Sequence, residues 1–501
     1  MNARWTHNGA GLAAAEIPRV APDGLADACA ALKAEGARLV AVMPMEPAGP
    51  DRGAECIVVL AHDAANRIAM LAVRLEAGAH YPAITARLPE AQAFERELWE
   101  ELGVVPDGHP WLKPLRRHPE LGPAAGSAAA THPFFRVEGP GIHEVAVGPV
   151  HAGIIEPGHF RLQCRGEEVL SLEVQLGYQH RGAERALRRA GPDARLAIAE
   201  SLAGDAAVGQ VLAHCQAVEA LAGVEVPLPA QVLRGVALEL ERLAAHAGDL
   251  GALAGDVGYQ PGAAWFGRLR GEFLGLLAEL SGSRFGRGLI VPGGVRFGLA
   301  ASRRDALVAR LDVAARDLGA AAGVMFDSAS VLSRFEGTGV VTRETAEDLG
   351  LVGPVARASG LSRDVRRDHP HGIYRFAMIP VAAGESGDVM ARAMVRWLEI
   401  QRSLVFVREQ LAELREGPLA VPLPPPPPRT VATAMVEGWR GEIVHVAATG
   451  GTADGALAGC KVVDPSFHNW FGLTLALRGN QVSDFPLCNK SFNLSYAGHD
   501  L

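Results

Sequence analysis

Three short apolar runs of strand length, separated by turn residues, lie within the first 75 residues. They are Ala37–Met43, Ala54–His62 and Ile68–Leu75. The stretch that follows, Pro89–Leu102, places Phe94, Leu98 and Leu102 four residues apart on one face of a helix. Strands followed by a helix in this order predict a small α/β domain over residues 1–120.

Farther along, apolar residues recur every three or four positions over many turns, as on the buried face of a helix. Four segments keep this spacing: 194–221, 231–254, 302–326 and 387–414. Four long amphipathic helices are enough to form a bundle. The pattern therefore predicts a mainly helical domain over residues 141–501, and the fold class of the whole chain is α+β.

Two compositional breaks interrupt these patterns. Residues 121–140 are assigned to a linker, because LGPAAGSAAATHP at Leu121–Pro133 is rich in small residues. PLPPPPP at Pro422–Pro428 favours a stiff polyproline segment, interpreted as a spacer rather than as a ligand for a proline-recognising domain. After it, Thr430–Ala448 predicts peripheral strands around a Gly-Trp-Arg-Gly turn at 438–441.

Composition narrows the classes of protein. A chain of 501 residues fits two or three domains, and a net charge of −8 argues against nucleic-acid binding. No apolar run approaches the roughly 18 to 20 residues that span a bilayer, and the first residues lack the apolar core of a signal peptide. Six cysteines, none in a C-x-x-C pair, indicate a cytosolic chain without disulfides.

A motif in the N-terminal domain carries the first family resemblance. FERELWEELGVVPDGHPWLKPLR, at Phe94–Arg116, resembles the signature of the complex I subunit that packs beside the catalytic subunit. The matching residues are Glu95, Arg96, Glu97, Gly103, Gly108, His109 and Pro110. Residues 1–120 are accordingly expected to be a domain of this accessory type.

Five further motifs follow in one order over some 350 residues. They are GPVHAGIIEPGHFRL at 148–162, GYQHRGAERAL at 177–187, VPGGVR at 291–296, GDVMARAMVRWLEIQRS at 387–403 and DFPLCNKSFNLSYAGHDL at 484–501. Together they resemble the complex I catalytic subunit and the large subunits of group 4 nickel–iron hydrogenases. The two parts fused in one chain resemble the formate hydrogenlyase or hydrogenase-4 type.

The resemblance also shows which residues are missing. Nickel–iron hydrogenases hold their metals with two C-x-x-C pairs, because soft thiolates suit these ions. The corresponding positions here are Ala203, Ala206, Ser495 and Gly498. The chain is therefore expected to bind no metal. Because both segments match parts of one metal centre, residues 495–499 are expected to lie close to residues 203–205.

In complex I catalytic subunits, the same cavity binds a quinone head group. His151 matches the first histidine of the early loop that serves this purpose, but Arg195–Ile198 holds no tyrosine where the family has one. Standard quinone reduction is thus put in doubt. A cavity lined by His151, Tyr178 and Tyr496 would favour binding of a quinone or another small acceptor.

Other candidates follow from the same motifs. The resemblance places His180 and Arg181 near an iron–sulfur cluster in a neighbouring small subunit, and the alternative is an Arg181–Glu184 ion pair. Residues proposed to line the emptied cavity and to move protons are Asp205, His499 and Asp500. In the DHPH stretch, His369 and His371 are expected in a solvated loop rather than in a metal site.

The leading functional hypothesis is a large subunit of a membrane-associated, complex I-like oxidoreductase complex without hydrogenase chemistry. It would couple electron transfer or conformational change to ion translocation by membrane-embedded partners, on the cytoplasmic side of the membrane. The chain itself is expected to hold no cofactor. The resemblance implies quinone binding and NAD binding as properties of the family. The alternatives are a subunit that reduces a quinone or small acceptor, and a structural assembly subunit.

Overall fold

The computed structural model describes residues 4–45, 53–116, 132–153, 155–452 and 456–501. The strands are β1 Trp5–Thr6, β2 Gly11–Ala13, β3 Arg19–Val20, β4 Arg38–Pro44, β5 Ala54–His62, β6 Arg67–Leu75, β7 His80–Pro82, β8 Val105–Asp107, β9 Ile142–Val147, β10 His159–Arg165, β11 Glu168–Gln175, β12 Ile290–Val291, β13 Gly294–Val295, β14 Thr430–Gly438, β15 Gly441–Thr449 and β16 Leu457–Val463. The helices are α1 Leu25–Ala34, α2 Gln92–Leu102, α3 Ala183–Arg189, α4 Pro192–Ala199, α5 Ala207–Ala222, α6 Leu228–Asp256, α7 Gln260–Ser281, α8 Ala301–Phe326, α9 Ala329–Phe335, α10 Arg343–Asp348, α11 Gly353–Ala358, α12 Val365–Asp368, α13 Val389–Glu413, α14 Pro465–Ala476, α15 Phe485–Phe492 and α16 Tyr496–Asp500. The predicted α+β class is confirmed.

The N-terminal sheet has the strand order β1-β6-β5-β4, with β3 parallel to β6. Its three long strands match the three predicted apolar runs to within one residue, and α2 contains most of the predicted helix. Residues 56–61 of β5 are apolar and buried. Such a continuous apolar run suits a strand covered on both faces, and here the core extends into β14–β16.

A second sheet, ordered β16-β15-β14-β2, brings the two ends of the chain together. Its central hairpin pairs Gly438 with Gly441 across the predicted turn, so that turn is confirmed. The edge next to β14 is occupied by β2, with Leu12 opposite Val431. Residues 11–13 therefore join the sheet of residues 430–463 rather than the N-terminal sheet.

The helical body is built around α6, which packs against α7 on one side and α13 on another. The predicted helices at 231–254, 302–326 and 387–414 are present as α6, α8 and α13. The predicted continuous helix at 194–221 is wrong, because α4 ends at Ala199 and α5 begins at Ala207. The helix α7 was not predicted.

The two proposed connecting segments differ in what the structure describes. Of the linker at 121–140, residues 121–131 lie outside the described ranges, while His132 approaches the Glu173 carboxylate at 2.8 Å. The proline run is irregular, and its Pro427 carbonyl accepts a 2.7 Å hydrogen bond from Thr449. Within the described ranges, no helix is long and apolar enough to cross a membrane.

Candidate functional site

The loop between α4 and α5, residues 200–206, carries two of the positions expected to have lost cysteines. Three of its backbone carbonyl groups accept hydrogen bonds from side chains elsewhere in the fold, instead of from the backbone amides of a helix. Arg181 donates to the carbonyls of Ser201 and Leu202, both at 3.0 Å, and the indole of Trp439 donates to the carbonyl of Asp205 at 2.9 Å. These tertiary hydrogen bonds explain why the chain leaves the helix here.

The hairpin turn between β14 and β15 points into this loop. Ala203, Ala206 and Trp439 form one buried apolar cluster, with Ala245 of α6 packed against it. Arg440 stacks on the Trp439 ring at 3.9 Å and binds both carboxylate oxygens of Asp205, at 2.6 and 2.7 Å. The Arg440 guanidinium beside it holds the pKa of the Asp205 carboxyl below its usual range.

A buried ionic network lies behind this turn and fixes its position. Arg242 donates to the carbonyls of Glu437 and Gly438, at 2.6 and 3.0 Å, immediately before Trp439. Glu399 accepts hydrogen bonds from three side chains: Arg357 of α11 at 2.5 Å, and His246 and Arg242 of α6 at 2.8 and 3.3 Å. All of these network side chains are buried.

The last segment of the chain returns to the same place. Arg440 donates to the Asn493 carbonyl at 2.5 Å as well as to Asp205. Gln210 of α5 donates to Asp464 at 2.8 Å, and Asp464 in turn lies directly against Gly498. The first link places Asn493 near Asp205 of the α4–α5 loop, and the second places Gly498 near the first turn of α5. The terminal residues 494–501 are buried.

The four expected ligand positions offer a single polar side chain. Ser495 uses its hydroxyl to accept a 2.9 Å hydrogen bond from the Gly498 amide, as the N-cap of α16. The six cysteines of the chain are all buried, and burial raises the pKa of Cys488 to about 11. A thiol with such a pKa is protonated at neutral pH and is a poor metal ligand. These residues do not fit a nickel–iron centre.

Replacing Gly498 by alanine is expected to destabilise the protein by about 1–3 kcal/mol, the usual cost of overpacking. A Cβ at this position would lie 2.6 Å from Cγ of Asp464, and that carboxylate is held by Gln210 and by the Ser466 amide. Urea denaturation measures the effect. Gly319→Ala is the matched control, because its Cβ would meet nothing within 4 Å on helix α8. Equal stability of the two variants would contradict the packing.

A cavity of about 310 Å³ adjoins the Trp439 ring. Its walls come from α6, α7, α15 and the α4–α5 loop, and its charged lining residues are Asp205, Glu241, Asp249, Arg270 and Lys490. Asp205 was among the residues predicted to line the emptied cavity. His499 is placed elsewhere, since it lines a second cavity beside Arg96 and Trp111.

The residues predicted for quinone binding do not line the cavity beside Trp439. The imidazole Nε2 of His151 lies 2.8 Å from the Gly158 carbonyl, and the Tyr178 hydroxyl lies 3.3 Å from the Gln175 amide oxygen. Tyr496 packs edge-on against Trp470, with 4.9 Å between ring centroids. His151 and Tyr496 therefore serve in packing around the early loop.

Asp500 organises the GYQHRG motif. Its carboxylate accepts hydrogen bonds from the amides of Gly177 and Gln179, at 2.9 and 2.8 Å, and its carbonyl lies 2.9 Å from Nδ1 of His180. Gly177 has φ of +99°, and a Cβ there would lie 2.5 Å from the Arg116 carbonyl oxygen, so the position demands glycine.

Arg181 and Glu184 have different partners in the fold. Arg181 binds the α4–α5 loop, as described above, whereas Glu184 pairs with Lys461 at 3.0 Å. The alternative of an Arg181–Glu184 ion pair is thus not what the structure contains. Arg181 instead connects the GYQHRG motif to the loop that carries Ala203.

The expected solvated loop at DHPH is wrong. His369 and His371 are both buried. Nε2 of His369 lies 3.0 Å from the Asp63 carboxylate, and Nδ1 of His371 lies 2.6 Å from the Gln216 amide nitrogen. The stretch connects the N-terminal domain to the helical body, a long-range contact that its local sequence does not reveal.

Several functional candidates were missed from the sequence. Trp439 and Arg440 were noticed only as turn residues, and Glu241 and Lys490 were not singled out for charge. A two-residue turn that carries Trp and Arg between glycines is an unusual composition for a surface hairpin. That composition was the available signal, because turns favour Gly, Asn, Asp and Ser.

Comparison with known families agrees with this architecture. Residues 256–426 match the family of the 49 Kd subunit of respiratory-chain NADH dehydrogenase, and residues 18–133 match that of the 30 Kd subunit. The first match lies in the helical body and the second in the N-terminal sheet and helices.

Full-length relatives extend these matches. Formate hydrogenlyase subunit 5 of Escherichia coli K12 is 32% identical over 86% of this chain and 79% of its own length. The carbon monoxide-induced hydrogenase of Rhodospirillum rubrum is 31% identical over 70% of this chain and 97% of its own length. NADH-quinone oxidoreductase subunit 4 of Thermus thermophilus is 31% identical over 68% of this chain and 89% of its own length. The chain belongs to the complex I catalytic-subunit and group 4 hydrogenase large-subunit family, with the accessory domain fused.

Proposed function

We propose that this chain is the large subunit of a membrane-associated, complex I-like oxidoreductase complex that works without a nickel–iron centre. The observation that carries the proposal is the packing of Trp439 on Ala203 and Ala206, at two of the four positions assigned to metal ligands. The Arg440–Asp205 pair and the close contact of Gly498 with Asp464 support it. Neighbouring subunits would then carry electrons, and this chain would transmit electron transfer or a conformational change to ion translocation.

The chain's own residues suggest how such coupling is transmitted. Arg440 connects the α4–α5 loop to the terminal segment, and Arg242 and Glu399 connect the same hairpin to α6 and α13. A displacement of the hairpin would change buried charge–charge distances in two long helices at once. Such networks have few alternative arrangements, so they transmit discrete shifts rather than gradual deformation.

A second candidate function is reduction of a quinone or another small acceptor. The 310 Å³ cavity beside Trp439 favours it, because it offers space next to the place assigned to the metal centre. The placement of His151 and Tyr496 in packing contacts does not support the usual quinone site. The third candidate, a structural assembly subunit, draws support from the packing of Trp439 against Ala203 and Ala206.

Metal analysis tests the central proposal. The purified protein is expected to contain no stoichiometric nickel, because a site without thiolates gives no cage for this ion. Elemental analysis of the purified complex, beside a nickel–iron hydrogenase large subunit as the positive control, measures it. About one nickel per chain would overturn the proposal. Iron is not diagnostic, because an iron–sulfur partner would contribute it.

Purification of a tagged chain from detergent-solubilised membranes tests the partners. We expect an iron–sulfur small subunit and membrane-embedded subunits to copurify, on the cytoplasmic side of the membrane. The partner next to the GYQHRG motif would carry the cluster that the resemblance assigns there. Mass spectrometry of the purified material identifies the subunits. Recovery of the chain alone and monomeric at mild salt would contradict this assignment.

A further inference from the structure

The cavity beside Trp439 contains two carboxylates whose charges are already compensated. Asp205 binds Arg440 through both oxygens. One oxygen of Asp249 accepts from Arg396 at 2.8 Å, and the other accepts from the Asn493 amide at 2.6 Å. Neither carboxylate therefore requires a cation from inside the cavity.

The third acidic residue of the cavity is Glu241, whose burial favours its protonated form. Burial raises its pKa to about 8, although the amides of Val208 and Gly209 donate to its two oxygens at 2.7 and 3.1 Å. A protonated carboxyl group retains one hydroxyl donor. In its protonated form Glu241 adds no negative charge to the cavity lining.

The two cations of the cavity are differently placed. The Lys490 ammonium donates to the side-chain oxygen of Asn493 at 3.2 Å, and the Arg270 side chain lies over Gly248, whose added Cβ would meet it at 2.8 Å. Across the described ranges, neither forms an ion pair within 4 Å. Burial raises the pKa of Asp256, and the Lys490 charge opposes that rise. Lys490 also helps to lower the pKa of Asp205, but it forms no ion pair with either carboxylate.

The remaining walls are apolar. Leu274 and Leu277 of α7, Phe285 and the Trp439 ring face the same space as the two cations. A ligand that contacts both the two cations and the apolar walls carries an oxyanion at one end and a short apolar group at the other. Charged groups bind carboxylates more strongly than neutral groups do, and apolar walls add area-dependent affinity.

We propose that this cavity binds the carboxylate of a small organic acid, held by Lys490 and Arg270 against the apolar face of Trp439. The inference rests on the proposed function, since it places an organic ligand beside the position assigned to a metal. An inorganic oxyanion would satisfy the cations and leave the apolar walls unused. A neutral molecule would fill the walls and leave the cations unpaired.

Calorimetric titration of the purified complex with butanoate tests the proposal. We expect saturable binding that is at least tenfold weaker for butanamide, which has the same shape without the charge. Lys490→Met and Arg270→Gln should each weaken butanoate binding at least tenfold, while Lys490→Arg restores it. Arg268→Gln is the control, because Arg268 is exposed on the same helix and pairs with Asp317.

The outcomes separate this proposal from the preceding one. No butanoate binding, equal binding of butanamide, or unchanged binding in both cation variants would overturn the carboxylate site. If phosphate bound as tightly as butanoate, the proposal that the ligand carries an organic group would be wrong. Subunit composition of each variant shows that it is assembled, and nickel content of the same samples tests the missing metal centre independently.

Discussion

Glu399→Gln is expected to lower the free energy of unfolding by about 3–5 kcal/mol, the cost of breaking a buried ion pair. Its carboxylate is the common acceptor for Arg357, Arg242 and His246, and burial leaves water no access to replace it. The amide retains the size of the side chain but removes the charge that balances two guanidinium groups. Urea denaturation of wild type and variant under identical conditions measures the difference.

The matched control for this network is an exposed ion pair. Arg408 and Asp312 pair at 3.1 Å on the surface of α13 and α8, so Asp312→Asn should change stability by less than about 0.5 kcal/mol. If the Glu399 variant were no more destabilised than this control, the buried network would not hold the hairpin in place. A displaced hairpin would also change the fluorescence of Trp439.

Deleting residues 494–501 is expected to lower the free energy of unfolding by more than about 5 kcal/mol, enough to unfold a typical domain. The deletion removes the Asp500 carboxylate from the amides of Gly177 and Gln179, and the Leu501 carbonyl from the amides of Arg181 and Ala183. It also removes Leu494 and Tyr496 from a buried cluster. The yield of folded chain and its recovery with partner subunits are the measurements.

Point variants show whether the loss comes from specific contacts. Asp500→Ala should reproduce part of the effect of the deletion, because it leaves the buried Gly177 amide without an acceptor, at about 1–3 kcal/mol, and the partly buried Gln179 amide as well. Leu494→Ala should cost about 2–5 kcal/mol through the cavity it leaves. A truncated chain that assembles normally and denatures at the wild-type urea concentration would show that the terminal segment is dispensable.

Local patterns in the sequence predicted the elements whose partners are nearby. The strands β4, β5 and β6 are consecutive and pair with each other, so short apolar runs between turns were sufficient. The helix α7 also had a usable signal in Phe266, Leu269 and Phe273, spaced three and four apart. Glycines along it, such as Gly267 and Gly271, lower helix propensity and concealed the pattern.

The site depends on contacts that no local pattern contains. The break between α4 and α5 arises because Arg181 and Trp439 bind loop carbonyls, and Trp439 lies more than 230 positions away along the chain. Periodicity alone predicted one helix there. The family resemblance located Ala203 and Ser495, but only packing showed that an indole ring lies against the first of them.

The pairing of β2 with β14 has a consequence for how the chain folds. Residues 11–13 leave the ribosome more than 400 residues before their partners at 430–432. The edge of β14 is covered only when this contact of very high sequence separation forms, which slows folding through the entropy of loop closure. Until then an unpaired strand edge is exposed, and such edges template aggregation. Production of this chain should therefore depend on chaperones or slow synthesis more than its stable core suggests.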